Sequence, residues 1–340
     1  MSTRISLSLL GLCVVTAAAA LLSPASAQQR IAARTADGHP NLQGNWSNAT
    51  ITPFQRAEGQ GPLFSTSEVA RLEGRAEETV RAGAAPSDPN RAPPKVGGSI
   101  GSYNDVWFER GKRVAVINGE FRSSLLTNPP DGRRPPLTEA ARRQQQEQRD
   151  FRSQFGSADN PENRSLTDRC LMFASNVGPP MIPNSAYNNN YTIVQTADYV
   201  LIHAEVVHDA RIIRLGTPNR LPADVTPWMG DSWGRWEGDA LVVETTNISP
   251  LHTFRGISPS KSLKVTERFT RVDDNTLLYE FTIDDPTTYT QPWGGEIPLN
   301  RFADQLYEYA CHEGNYALGN ILSGARYEER QAGRNQPEQR

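Results

Sequence analysis

From Tyr187 onward the chain alternates apolar and polar residues with a period of two. "YTIVQT", "YVLIHAEVVHDARII", "ALVVETTN", "SLKVTERFTRV", "TLLYEFTID" and "LYEYACHE" are rich in Val, Thr, Tyr and Phe. That composition and period predict half-buried strands. Some joints are tight, with turn residues at Glu237-Gly238-Asp239 and Asp273-Asp274-Asn275, so neighbouring strands form hairpins. A run of strands with short turns predicts an antiparallel meander. It should curl into a barrel or a strongly bent sheet, because closure removes exposed edges. The expected fold is mainly β: an antiparallel curled sheet or lipocalin-like β-barrel with two peripheral helices and an irregular N-terminal arm.

The first half reads differently. Residues 28–62 look extended and irregular. Residues 65–82, "STSEVARLEGRAEETVRA", predict a helix: Ser65 and Glu68 have capping-box spacing, and Val69, Leu72, Ala76 and Val80 form one stripe. Residues 83–99 read as a linker. Short strand-like pieces follow around 105–118 and 123–127. Residues 138–155 predict a helix that is polar nearly all round and therefore superficial. The expected division is an arm with one helix and a linker over 28–100, a barrel-like domain over 101–330, and a disordered tail over 331–340.

Residues 1–27 predict a secretory signal peptide. Arg4 supplies the positive start, Leu7 to Leu22 the apolar run, and "ASA" at 25–27 the cleavage site. No later stretch reaches the roughly 20 apolar residues that a membrane span needs. The expected location is periplasmic or secreted, with the mature chain starting at Gln28.

The formal net charge is −3. Loss of the leader, whose one charge is Arg4, takes it to about −4, and no Lys/Arg cluster stands out, which argues against nucleic acid as a partner. The abundance of Pro and Gly suits a loop-rich fold of short strands. Cys13 lies in the leader, leaving Cys170 and Cys311. In an oxidising compartment the simplest reading is a Cys170–Cys311 disulfide. Closing a loop of that length is worth about 4–5 kcal/mol in the chain-entropy model. Two buried free thiols are the alternative.

The densest chemistry lies in "HAEVVHDAR", residues 203–211. Its histidines are five apart, so it lacks the H-E-x-x-H spacing of a zinc-protease helix. Read as one strand, it carries an apolar face (Val200, Ile202, Ala204, Val206, His208, Ala210, Ile212). The opposite face is a polar ladder (Tyr199, Leu201, His203, Glu205, Val207, Asp209, Arg211). Either face could line the interior. His208 could equally be a core histidine satisfied by a hydrogen bond, and the ladder a solvated face. Glu267 interrupts the apolar face formed by Leu263, Val265 and Phe269. A carboxylate there must find a cation, such as Arg235 or His208, or take up a proton. A purely structural ion pair is the competing reading.

"GDSWGRWEGD", 230–239, lacks the helix and Lys-Ser/Thr ending of a phosphate loop. It reads as a hairpin whose Trp233 and Trp236 pack or line a mouth. "YNNNY", 187–191, sets three amides between two tyrosines, which suits a polar ligand or a loop of Asx turns. A disulfide would pin His312 and Glu313 to the Cys170 segment. A metal held by His203, Glu205 and His312 is feasible, but nothing in the spacing demands it, so no metal and no cofactor are expected.

The motifs "YNDVWFERG", "NPPDGRRPPLT", "DRCLMF", "YNNNYTIVQT", "GDSWGRWEGDALVVETTN" and "YEYACHEGNY" resemble a large family of secreted proteins of Gram-negative bacteria. The resemblance spans nearly all of the mature chain. It implies export and a single shared architecture, and brings no catalytic assignment. "GNW" at 44–46 also resembles the Gly-x-Trp that opens the first strand of lipocalin-like barrels. The long segment before the main strand run departs from that eight-stranded pattern.

A pocketed barrel of this kind usually serves a small molecule. The leading expectation is an exported β-barrel enzyme with cofactor-free acid–base chemistry: a lyase, isomerase or hydrolase acting on a small organic or sugar-derived substrate. His208 or His203 would be the base, since imidazole titrates near neutrality. Glu205 or Glu267 would be the acid or orient the base, and Arg211 or Arg235 would stabilise developing negative charge. Tyr187, Asn188, Asn190, Trp236, His312 and Glu313 are the candidate substrate contacts. The alternative is a non-catalytic, lipocalin-like carrier of apolar or aromatic ligands.

Overall fold

The structure is a computed structural model that describes residues 33–86, 89–90, 92–93, 109–173, 178–183, 189–253 and 258–334; for His208 and Arg334 it describes the backbone alone. The leader, most of the linker, the start of the strand expected near 105, Tyr187, Asn188 and the last six residues lie outside the described residues.

Twelve strands and three helices follow one another in the described chain. In order they are β1 (Gly44–Ser47), α1 (Thr66–Gly83), β2 (Val116–Ile117), β3 (Glu120–Phe121), β4 (Leu126–Asn128) and α2 (Glu139–Arg152). Then come β5 (Asn190–Gln195), β6 (Tyr199–Ala204), β7 (Ala210–Leu215), β8 (Asp231–Glu237) and β9 (Ala240–Thr246). The last are β10 (Lys264–Arg271), β11 (Thr276–Asp284), β12 (Trp293–Arg301) and α3 (Ala317–Arg334). Nine strands close into a barrel in the order β1-β5-β6-β7-β8-β9-β10-β11-β12, with β12 returning to β1. β4 adds to β12 outside that ring, and β2 and β3 form a separate pair. The expected β-barrel with peripheral helices is therefore present.

Alternation explains the closure. On β10 and β11 every odd position except Arg271 is buried: Val265, Glu267 and Phe269 face Ile283, Phe281 and Tyr279 in antiparallel register. Trp46, the tryptophan of "GNW", is fully buried in β1. The guanidinium groups of Arg271 and Arg301 lie over its ring at 5.4 and 5.3 Å. Trp46, Tyr191, Phe269, Tyr279 and their aliphatic neighbours fill the interior as one core. A larger hollow, about 350 Å³, lies on the outer wall, lined by Val194, Thr196, Tyr199, Leu201 and Ile212. Gly294 and Gly295 start β12 where β4 joins. A Cβ on either would collide with the carbonyl of Phe281 or of Leu125, so only glycine allows these backbones so close.

Three features depart from the expected meander. β7 and β8 run parallel, with Arg214 opposite Trp233. The crossover that this requires, 216–230, is held by the amide of Asn247, which donates to Leu221, Pro222 and Val225. The segment "LYEYACHE" is not a strand. Residues 302–316 are irregular and lead into α3, a helix that the β-rich pattern before it concealed. β1 comes from the segment expected to be an arm, yet it stands in the barrel wall between β5 and β12.

Both expected helices form. α1 carries the full Ser65–Glu68 capping box, and α2 starts at Thr138, whose hydroxyl accepts from the Ala141 amide at 3.1 Å.

Candidate functional site

"HAEVVHDAR" is a hairpin and not one strand. Residues 206–208 form a single 3₁₀ turn between β6 and β7, and the Ala204 amide donates to Asp209 O at 2.8 Å. Val207 takes φ 57° and ψ 21° at the centre of this turn. A β-branched residue in the left-handed region is strained, and such strain persists only where the surroundings enforce it. Here Val206 and Val207 are both buried in the core cluster. No Gly, Asn or Pro marks the turn, which is why the sequence reads as continuous strand.

The break inverts the alternation. Val200, Ile202 and Ala204 are buried on β6, whereas Arg211 and Ile213 are buried on β7. Ile212, placed on the apolar face by the single-strand reading, is 57 % exposed on the outer wall. Arg211, placed on the polar ladder opposite, points into the core.

There Arg211 meets Glu267. Nη1 donates to Oε2 at 2.7 Å and Nη2 to Oε1 at 3.1 Å, with the residues 3 % and 0 % exposed. The Tyr279 hydroxyl donates to Glu267 Oε1 at 2.8 Å and accepts from the Met181 amide at 3.0 Å. Burial, reinforced by the charge on Glu267, holds the Tyr279 phenol well above its ordinary pKa. The Asn48 amide then donates to Met181 O at 3.1 Å and to the Tyr191 hydroxyl at 3.2 Å. This network ties β1, β5, β7, β10, β11 and the 178–183 segment together through the interior. Glu267 is paired by Arg211 and not by Arg235, which lies on the outside with Glu237 and Glu244.

A second polar cluster lies on the other side of the wall. Trp46 and Tyr191 face inward, so Ser47 and Asn190, paired in register, face outward. Both are nonetheless buried, because a strap crosses over this part of the wall. Phe302 N donates to Asn45 O, the Asn45 amide donates to Asp304 O, and Cys311 is bonded to Cys170. The strap reaches Glu205 through the Tyr307 amide, which donates to Oε1 at 3.2 Å. Glu205 Oε2 accepts from Asn190 Nδ2 at 2.8 Å. Glu109 accepts from the Ser47 hydroxyl at 2.9 Å and from the Asn189 amide at 3.3 Å.

Burial holds Glu109 above the ordinary carboxylate range. The charge on Glu205 adds to that shift, and the hydrogen bonds from Ser47 and Asn189 oppose it. Among the described residues no Lys, Arg or His forms an ion pair with Glu109 or Glu205. Asn190 is 5 % exposed, and its Oδ1 accepts no hydrogen bond.

The structure thus joins Glu205 to Asn190, and Glu267 to Arg211. It does not join these pairs to Arg235, nor to Trp236, which stacks on His39 with ring centroids 4.5 Å apart. His203 is half-buried on the outward face of β6, and His312 and Glu313 are exposed beside Cys311. Among the described residues no group of three or more His, Cys, Asp or Glu could hold a metal ion. Glu109, Asn48 and Tyr279 were not singled out from the sequence, and Asn189 only as one of the three amides of "YNNNY". Glu109 meets its partners from 62 and 80 residues away, and no local pattern encodes such a contact.

No protein-family model, no curated protein and no solved structure matches this chain.

Proposed function

We propose that the protein is an exported enzyme performing cofactor-free acid–base chemistry on a small organic or sugar-derived molecule, with its centre at Glu109, Asn190 and Glu205. The observation that carries the reading is a pair of carboxylates, buried Glu205 on Asn190 Nδ2 and half-buried Glu109 on the neighbouring Asn189 amide, with no cation paired to either among the described residues. Burial favours the protonated form of Glu109, which suits a general acid. Glu205, oriented by Asn190 and the Tyr307 amide, is the partner base or nucleophile. Paired carboxylates of this kind are the usual apparatus for cleaving glycosidic bonds: one protonates the leaving oxygen while the other activates water or attacks. His208, on the same strained turn as Glu205, remains the candidate additional base.

Export is part of the proposal, as is membership of the family of secreted Gram-negative proteins. The Cys170–Cys311 disulfide and the absence, among the described residues, of a helix long and apolar enough to cross a membrane are compatible with a periplasmic or secreted protein. N-terminal sequencing of periplasmic material should begin at Gln28.

The test is turnover of a panel of aryl glycosides, uronate-containing disaccharides and esters by the wild type, Glu205→Gln and Glu109→Gln. Removing a general acid or base should cost about 10²–10⁴-fold in rate. Undiminished turnover in both variants rejects the assignment. A carrier function has one observation in its favour, the apolar groove lined by Val194, Tyr199 and Ile212 on the outer wall. With the interior filled by side chains, a carried ligand would sit in that groove and not inside the barrel.

A further inference from the structure

Glu109 and Glu205 pose an electrostatic problem that the described chain does not solve. A buried carboxylate is stable when a cation or a proton neutralises it. Elsewhere the chain supplies the cation, as Arg211 does for Glu267 and Arg214 for Asp231. At Glu109 and Glu205 the described residues supply neutral donors only: a serine hydroxyl, backbone amides and the Asn190 side chain. Two like charges remain close enough for one to raise the pKa of the other. The second, independent observation is Asn190 itself. Its amide donates to Glu205, and its oxygen, inside a residue 5 % exposed, has no donor.

We propose that this site takes a substrate bearing a primary ammonium group, bound by Glu109, Glu205 and Asn190 Oδ1. The inference rests on the acid–base reading of the same residues and narrows its substrate class. A primary ammonium presents three N–H donors and no acceptor, and Glu109, Glu205 and Asn190 present five side-chain oxygens, of which Asn190 Oδ1 accepts no other hydrogen bond. The match is one of donor to acceptor and of opposite charge. A metal ion fits less well. Calcium takes 6–8 oxygen ligands, and only three side chains converge here. Zinc sites draw on His or Cys, and neither joins the described cluster. Glu109 is the more open of the two carboxylates, so the ammonium would enter from its side while Glu205 and Asn190 form the floor.

Isothermal titration of the wild type at neutral pH tests the proposal with glucosamine and 1,4-diaminobutane set against their neutral counterparts, glucose and 1,4-butanediol. Calcium chloride forms a separate arm. Both amines should bind and both neutral probes should not. Glu205→Gln and Glu109→Gln should each weaken amine binding by at least about tenfold, as expected for losing a charge-assisted hydrogen bond. The neutral-probe comparison uses wild-type protein, so a variant that fails to fold does not spoil it. Equal binding of neutral probes, amine binding unchanged in both variants, or calcium binding without amine binding would each overturn the proposal. Turnover of neutral substrates that Glu205→Gln abolishes would leave the acid–base centre standing and reject the ammonium. Amines bound by the wild type and lost in both variants, with turnover of neutral substrates unaffected in both, would do the reverse.

Discussion

Glu267 and Glu205 lie on opposite sides of one barrel wall, and the chain treats them differently. Glu267 is inside, clasped by both Arg211 nitrogens and a tyrosine hydroxyl. Glu205 is outside, under the strap, beside a second carboxylate and, among the described residues, without a guanidinium or ammonium partner. Both are buried. The difference lies in who provides the countercharge. The inner carboxylate is complete within the fold, so it belongs to architecture. The outer pair finds no cation among the described residues, and a carboxylate pair so placed marks a place for chemistry.

The largest effect should come from breaking the inner pair. Arg211→Met would leave Glu267 buried against Tyr279 with no cation, and such losses cost about 3–5 kcal/mol. The double variant Arg211→Met/Glu267→Leu should recover most of that, since an apolar replacement of a buried pair is often neutral. Urea denaturation of the wild type, both single variants and the double gives the coupling. If Arg211→Met alone is as stable as the wild type, the inner pair is not the clamp argued above.

The disulfide should rank next. Replacing Cys170 and Cys311 together by Ser removes a cross-link between residues 141 apart, which for a bridge of this kind costs about 2–5 kcal/mol. The comparison sharpens if the loss is local. The strap covers the outer cluster, so hydrogen exchange at the Tyr307 amide, which donates to Glu205, should speed up. The Met181 amide, bonded to Tyr279 in the inner network, should stay protected. Equal acceleration at both sites would mean that the strap does not act on the outer side alone.

These two regions were legible in the sequence to different degrees. Period-two alternation located most of the barrel strands, and the odd positions of β10 and β11 marked Glu267 as an intruder in the core. Its partner was hidden by one turn. The turn at 206–208 contains two valines and a histidine, residues that say strand, and its left-handed Val207 is chosen by tertiary packing against local preference. Missing it shifts the parity of everything after Ala204 and sends Arg211 to the wrong side. The outer cluster was less legible still. Glu205 and Asn190 stood out as polar residues near strands, but nothing local reports that a strap 100 residues downstream covers them, or that Glu109 completes the pair. The cysteines gave the one long-range constraint that the sequence could carry, and it proved to be the one that anchors the strap.

The smallest effect, and the most direct probe of the outer pair, is in the pH dependence of stability. The folded state holds Glu109 above the ordinary carboxylate range, so it binds that proton more tightly than the unfolded chain does. Stability from this group is fully present below the unfolded value near 4.3 and is lost as pH rises through the higher folded value. The wild type should therefore lose stability relative to Glu109→Gln across the window just above pH 4.3, because glutamine keeps the hydrogen-bonding shape without the charge. Above that window the Glu109→Gln variant should match or exceed the wild type, whereas Arg211→Met remains destabilised on both sides of it. Thermal melts of the three proteins from pH 4 to pH 8 give the comparison. If the wild-type and Glu109→Gln curves run parallel over the whole range, Glu109 titrates alike in the folded and unfolded chains. The outer carboxylates would then be as fully compensated as the inner one, and the contrast between the two sides of the wall would disappear.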